Sequence, residues 1–156
     1  MIQRSTYLFS LILVATLFSC SGSADINSGD AAFAKGDFSA AITGYTEDLK
    51  TNPTDLDLLY GRGRAYQELG KTLEAQADFE QALNSDAKNF QVLLSLATLQ
   101  LEQKNYASAL LYATKAEEIP GAPARASFLK GRALHQLGMP EDALKAYGNA
   151  IQVDKE

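Results

Sequence analysis

The sequence predicts an all-α fold, a solenoid of about four helix-turn-helix units, and three observations lead there. The first is a period: Gly63-Arg64-Ala65-Tyr66-Gln67-Glu68-Leu69-Gly70 returns as Gly131-Arg132-Ala133-Leu134-His135-Gln136-Leu137-Gly138, an offset of 68 residues or twice 34. A shift of 34 also aligns Ala41, Ala75, Ala109 and Ala143, then Tyr45, Phe79, Ala113 and Tyr147, then Asp48, Ala82, Ala116 and Ala150. A fixed period of this length marks units that bury their apolar faces by stacking on one another. The second is helical spacing, with Leu59, Tyr66 and Leu69 on one run and Ala75, Phe79, Ala82 and Leu83 on the next. The third is Gly70 between those runs, where a left-handed helix end favours a residue without a Cβ.

The chain begins with a different kind of segment. Met1 to Arg4 is a short basic start, and Tyr7 to Phe18 is apolar except for Ser10 and Thr16. A helix that crosses a bilayer needs roughly 20 apolar residues, so this shorter run suits the apolar part of a secretory signal, and residues 1–19 are excluded from the fold. Leu17-Phe18-Ser19-Cys20 resembles the lipobox of bacterial lipoproteins, in which the cysteine becomes the lipidated first residue. Cys20 is the only cysteine, so it has no partner for an intramolecular disulfide or a thiolate metal site. The resemblance implies a lipid anchor at Cys20, a short tether over 20–24, and a helical domain over 25–156. Ser21 stands where an inner-membrane retention signal would carry Asp, so the outer membrane is expected, on its periplasmic side.

The units begin near Gly22, Leu56, Phe90 and Ala124, spanning about 22–55, 56–89, 90–123 and 124–156. In the second, Thr54 with Asp57 reads as a capping box before the first helix, and the second helix is expected from about Thr72. In the fourth, Pro140-Glu141-Asp142 suits a first helical turn, since Pro lacks only an unneeded N–H and acids meet the positive helix end. Small Gly63 and Ala75 would let the paired helices approach, with Tyr66 and Phe79 filling the space between them.

These residues resemble the tetratricopeptide repeat, whose 34-residue unit has a small residue in the first helix, Gly at the turn, and small and aromatic positions in the second. The resemblance runs from Gly22 to Glu156 and implies a right-handed superhelix. The chain departs from the pattern at Asp48, at Ala87 in place of Pro, and at Ala97, Lys104 and Ala113 in unit three. Unit three is therefore expected to be looser, or reshaped near Pro120-Gly121-Ala122-Pro123.

Composition narrows the function. Hydrophobic residues make up 46% and charged residues 21%, as in a folded globular body, and the net charge is -5. With residues 1–19 set aside, which hold Arg4 and no acid, 13 basic and 19 acidic residues remain, a charge of -6. No basic cluster offers the concentrated positive surface that nucleic acid requires. Gly70-Lys71-Thr72 ends like a phosphate-binding loop, but Ala65 occupies the first glycine position and the preceding residues are helical, so no nucleotide is expected. Gly61-x-Gly63 lacks the third glycine of a dinucleotide fingerprint, Tyr66 standing there. His135 is the only histidine and has no Ser, Cys or second His at a useful spacing, so no catalytic residue, metal or cofactor is expected. Glu117-Glu118 reads as a solvated helix face.

The remaining expectation is a binding surface. In tetratricopeptide proteins the first helices line a concave groove, and the resemblance carries three columns onto it: Ile26, Tyr60, Leu94 and Phe128; Asp30, Arg64, Thr98 and Arg132; Phe33, Gln67, Leu101 and His135. An apolar ladder beside two arginines suits a peptide with apolar anchors and one or two carboxylates, which Arg can hold bidentately. Ile26 and Asp30 stand in two places of the clamp that some members use for chaperone tails, which disfavours that ligand. Leu144, Tyr147 and Ile151 mark a possible association end, where an apolar helix face lacks a following repeat. The expected function is a non-catalytic scaffold that recruits an envelope protein or peptide to the membrane. The alternative is a structural homo-oligomer or an assembly factor of an envelope machine, associating through the last helix.

Overall fold

The computed structural model describes residues 28–153. Cys20, Ile26, the signal segment and the tether lie outside the described residues. Eight helices follow in chain order: α1 Ser28–Ala34, α2 Phe38–Asp48, α3 Leu56–Glu68, α4 Thr72–Ser85, α5 Phe90–Glu102, α6 Tyr106–Glu117, α7 Ala124–Gln136 and α8 Pro140–Val153. They pair as α1/α2, α3/α4, α5/α6 and α7/α8, and the described residues contain no strand. The all-α repeat architecture expected from the period is the observed one. The first helices of units two, three and four start at residues 56, 90 and 124.

Local chemistry accounts for the helix ends. Asp55 caps α3, its side chain accepting from Leu58 N at 3.0 Å, and Asn89 caps α5 by accepting from Val92 N at 3.2 Å. Each satisfies an N–H that a helix start leaves without an intrahelical acceptor. The Thr54–Asp57 box is thus corrected by one residue: Asp55 is the cap, and the Thr54 carbonyl accepts from the Ser85 hydroxyl of α4 at 2.7 Å. Gly36, Gly70 and Gly138 close the hairpins at φ of 77°, 70° and 76°. The equivalent residue of unit three is Lys104, and it takes the same left-handed conformation at φ 62°.

Packing within the first, second and fourth pairs includes one close contact between a glycine and an aromatic ring. A Cβ built on Gly63 would lie 2.7 Å from the Phe79 ring, on Gly29 2.5 Å from Tyr45, and on Gly131 2.6 Å from Tyr147. The aromatic ring of the second helix lies flat on a bare stretch of the first. Unit three replaces glycine by Ala97 and the ring by Ala113, and both are fully buried. The two departures compensate each other, so α5 and α6 pack without the ring and keep ordinary lengths of 13 and 12 residues. Around Pro120–Pro123 only Gly121 is left-handed, and α7 begins in register, so unit three is not reshaped.

Between pairs, α5 is central. Val92, Leu96 and Leu99 join the first core with Leu59, Phe79 and Ala82, whereas Leu93, Leu94, Ala97 and Leu101 join the second with Ala113, Ala126 and Leu129. First helices touch at the outer junctions, α1 on α3 and α5 on α7, while α3 and α5 scarcely meet. α5 is instead tied to α4 and to its own turn by the buried Gln100, whose side chain donates to half-buried Gln76 of α4 at 3.0 Å and accepts from Asn105 at 3.1 Å. Arg62 clamps Asp78 with two hydrogen bonds of 2.8 and 2.7 Å, tying α3 to α4. Glu117 is not a solvated residue: it accepts from the Ser127 hydroxyl at 2.6 Å and pairs with Lys130, tying α6 to α7. Burial works against its charge, but these hydrogen bonds outweigh it and hold the carboxyl below the ordinary range.

Candidate functional site

The first helices position most of the predicted site residues along a series of clefts. A cleft of about 270 Å³ lies between α1 and α3, walled by Asp30, Phe33, Asp57, Tyr60 and Arg64. Next comes one of about 520 Å³ where α3 and α5 part, walled by Tyr60, Arg64, Gln67 and Glu68 on one side and Ser95, Thr98, Glu102 and Arg125 on the other. A third, of about 440 Å³, is lined by Leu101, Glu102, Lys104, Tyr106, Arg132, His135, Gln136 and Tyr147. Neighbouring clefts share residues, Tyr60 and Arg64 in the first two and Glu102 in the second and third.

Arg64 is exposed and makes no ion pair among the described residues; its guanidinium carbon lies 4.7 Å from the Phe33 ring centre and 5.9 Å from that of Tyr60. Stacking on two rings orients the guanidinium and leaves its edge N–H groups available to a ligand. Tyr60 is half-buried against Phe79, with ring centres 5.8 Å apart. Behind them Tyr45 donates its phenol to Asp30 at 2.7 Å, and its pKa is pushed well up, by burial first and then by that hydrogen bond. Thr98 donates to the Leu94 carbonyl at 2.8 Å and receives Arg125 Nη2 at 3.4 Å, so Arg125 leans from the first turn of α7 across α5.

The predicted columns divide. Tyr60, Arg64, Gln67 and Thr98 share the middle cleft, and Arg132 and His135 share the third. Leu94 and Leu101 are each only 7% exposed and belong to the second core, so they offer a partner almost no surface; they pack there with residues of α6 and α7. Phe128 is exposed and lies away from Tyr60, in an apolar cleft of about 490 Å³ with Arg125, Tyr147, Ala150 and Ile151. Arg64 and Arg132 therefore do not flank one ladder: Arg125 is the cation across from Arg64, and Lys104 lies beside Arg132. At the association end Leu144 is 72% and Ile151 57% exposed, whereas Tyr147 is half-buried on Gly131 and 5.8 Å from the Phe128 ring. Glu68, Glu102, Lys104 and Arg125 are lining residues that the columns missed. Glu68 and Glu102 share a 34-residue column and could have been found from it; Arg125 shares its column with Asp57 and Gln91, whose character changes from unit to unit.

The stacked hairpins, with polar clefts along their first helices, define a helical-repeat scaffold, and comparison with known proteins gives the family. Profiles described as tetratricopeptide repeat match residues 60–123 and, contiguously, 124–156. The chain is a tetratricopeptide-repeat protein over that span, and this fold is an interaction scaffold that takes protein partners. No match was found among curated proteins. Among solved structures, MamA (41-end) from Desulfovibrio magneticus RS-1 is 24% identical with a TM-score of 0.75, covering 81% of this chain and 72% of that one. The pilF protein of Pseudomonas aeruginosa is 21% identical with a TM-score of 0.76, covering 81% and 58%. A tetratricopeptide repeat protein from Parabacteroides merdae ATCC 43184 is 22% identical with a TM-score of 0.72, covering 80% and 48%. At these identities the likeness is one of fold.

Proposed function

We propose that this protein is a non-catalytic adaptor, tethered to a bacterial envelope membrane through lipidated Cys20, that holds an envelope protein or peptide along its first helices. The outer membrane, periplasmic side, is the proposed location, on the strength of the lipobox-like Leu17–Cys20 and of Ser21. Among the described residues no helix is long and apolar enough to cross a membrane, so membrane attachment would come from the amino-terminal segment. The observation that carries the adaptor reading is the middle cleft: Arg64, poised on two rings and without an ion pair among the described residues, faces Arg125 across the gap between α3 and α5. Crosslinking in native membranes tests it by comparing wild type with Arg64→Gln/Arg125→Gln. Loss of the crosslinked partner from the variant supports the groove, and recovery of the same partners by both removes its basis. The anchor is tested separately: wild type should incorporate labelled palmitate and Cys20→Ala should not.

The second reading, self-association through α8, draws on the apolar cleft at Phe128, Tyr147 and Ile151 and on exposed Leu144. Light scattering at high concentration should then show a dimer that Ile151→Asp dissolves. A monomer throughout would dismiss this reading and leave the adaptor reading standing.

A further inference from the structure

Lys104 stands out among the four hairpin turns. The other three place glycine in the left-handed conformation, and here a residue with a Cβ adopts it at φ 62°. A non-glycine residue there costs on the order of 1 kcal/mol, and substitution by glycine would remove that cost. A side chain retained at a disfavoured backbone position points to a use for the side chain. Its surroundings suggest which: Lys104 lines the third cleft with Arg132 and His135, all three exposed, and neither Lys104 nor Arg132 forms an ion pair among the described residues. In a chain of net charge -5, two cations and an imidazole converge on one concavity of about 440 Å³. One acid, Glu102, shares the wall and balances part of that charge.

We propose that this cleft is a subsite for acidic side chains of a bound partner segment, and that Lys104 is its specificity-determining residue. The inference rests on the adaptor reading and adds the chemistry of what is bound. Arg132 supplies a planar fork for a carboxylate, and Lys104 a mobile point charge from the turn. Leu101, 7% exposed, and the half-buried rings of Tyr106 and Tyr147 give the cleft a less polar floor, on which a charge-assisted hydrogen bond is stronger than in open water. Glu102 lies at the boundary with the neighbouring cleft and sets the limit on negative charge at that edge.

The test uses hexaglutamate blocked at both ends, with blocked hexaglutamine as the control, added to the isotope-labelled protein and followed by amide chemical shifts. Hexaglutamate should move the resonances of residues 101–106 and 132–136, and hexaglutamine should not. Lys104→Gly should weaken hexaglutamate about tenfold while raising the melting temperature, which separates loss of binding from loss of folding. Arg132→Gln should weaken it to a similar extent, and Glu102→Gln should strengthen it severalfold. Shifts confined to Arg64, Thr98 and Arg125 would overturn this subsite while leaving the adaptor groove intact. Undiminished binding by Lys104→Gly, no binding of hexaglutamate, or binding only of a peptide with a free carboxyl terminus and no Glu would each overturn it as well.

Discussion

The contact between Gly63 and Phe79 is the most quantitative consequence of the repeat geometry. A methyl placed on Gly63 would sit 2.7 and 2.8 Å from two carbons of the Phe79 ring, and that ring is fully buried, with no open side to move into. Overpacking of this kind costs about 1–3 kcal/mol, and the better helix propensity of alanine returns about 1 kcal/mol. Gly63→Ala should therefore destabilise by about 0–2 kcal/mol. Phe79→Ala alone should cost about 3–5 kcal/mol, as large buried aromatics do. In the double variant the methyl no longer meets a ring, so the overpacking disappears and the propensity gain stays. The double should be about 1 kcal/mol more stable than Phe79→Ala, with a coupling of about 1–3 kcal/mol. Unit three already holds that arrangement at Ala97 and Ala113, both fully buried. Urea unfolding followed by far-UV circular dichroism measures all four proteins, with slopes compared as well as midpoints because repeat arrays can lose cooperativity. Additivity of the two substitutions within about 0.5 kcal/mol would refute the reasoning.

Other outcomes follow from single contacts. Among the described residues Asp48 Oδ2 is buried with no hydrogen-bond partner, in the column that units two to four fill with Ala82, Ala116 and Ala150; Asp48→Ala should stabilise by about 1 kcal/mol, read as a higher urea midpoint. Glu117 has a folded-state pKa below its unfolded value, so its stabilisation is present above the ordinary carboxylate pKa and is lost as pH falls through the folded value. Wild type should therefore exceed Glu117→Gln by about 1 kcal/mol near neutrality, and thermal melts below about pH 4 should show the gap closing; a pH-independent gap would contradict the assignment. Replacing Asp55 by Ala removes the acceptor for Leu58 N and should cost about 1 kcal/mol in the same unfolding assay.

The period made the architecture legible because each column repeats a packing requirement: bare backbone at Gly63 and Gly131, a ring at Phe79 and Tyr147, a turn at Gly70 and Gly138. The same regularity misled where one unit compensates internally. Ala97 and Ala113 each look like a weakened position, and only together, both fully buried in the second core, do they show a compensated one. The site was less legible for a related reason. Column assignment treats every first helix as equally exposed, but α5 contributes to two cores and buries Leu94 and Leu101 in the second. Arg125 escaped because its role depends on reaching Thr98, 27 residues earlier, across a neighbouring helix. Glu117 was misread because its partners, Ser127 and Lys130, lie on the next unit.

Considered as a one-dimensional array of coupled units, the chain has an unusual link. Nearest-neighbour coupling ordinarily joins one hairpin to the next through a single shared face, so that an array can open at any joint. Here α5 contributes to two cores at once, and opening it would dissolve the contacts of both halves together. Hydrogen exchange should accordingly be slowest in α5 and fastest toward α1 and α8, with fraying from the ends rather than division in the middle. A partner gripping the cleft between α3 and α5 would hold the array at its most cooperative segment, where one binding event is felt by every repeat.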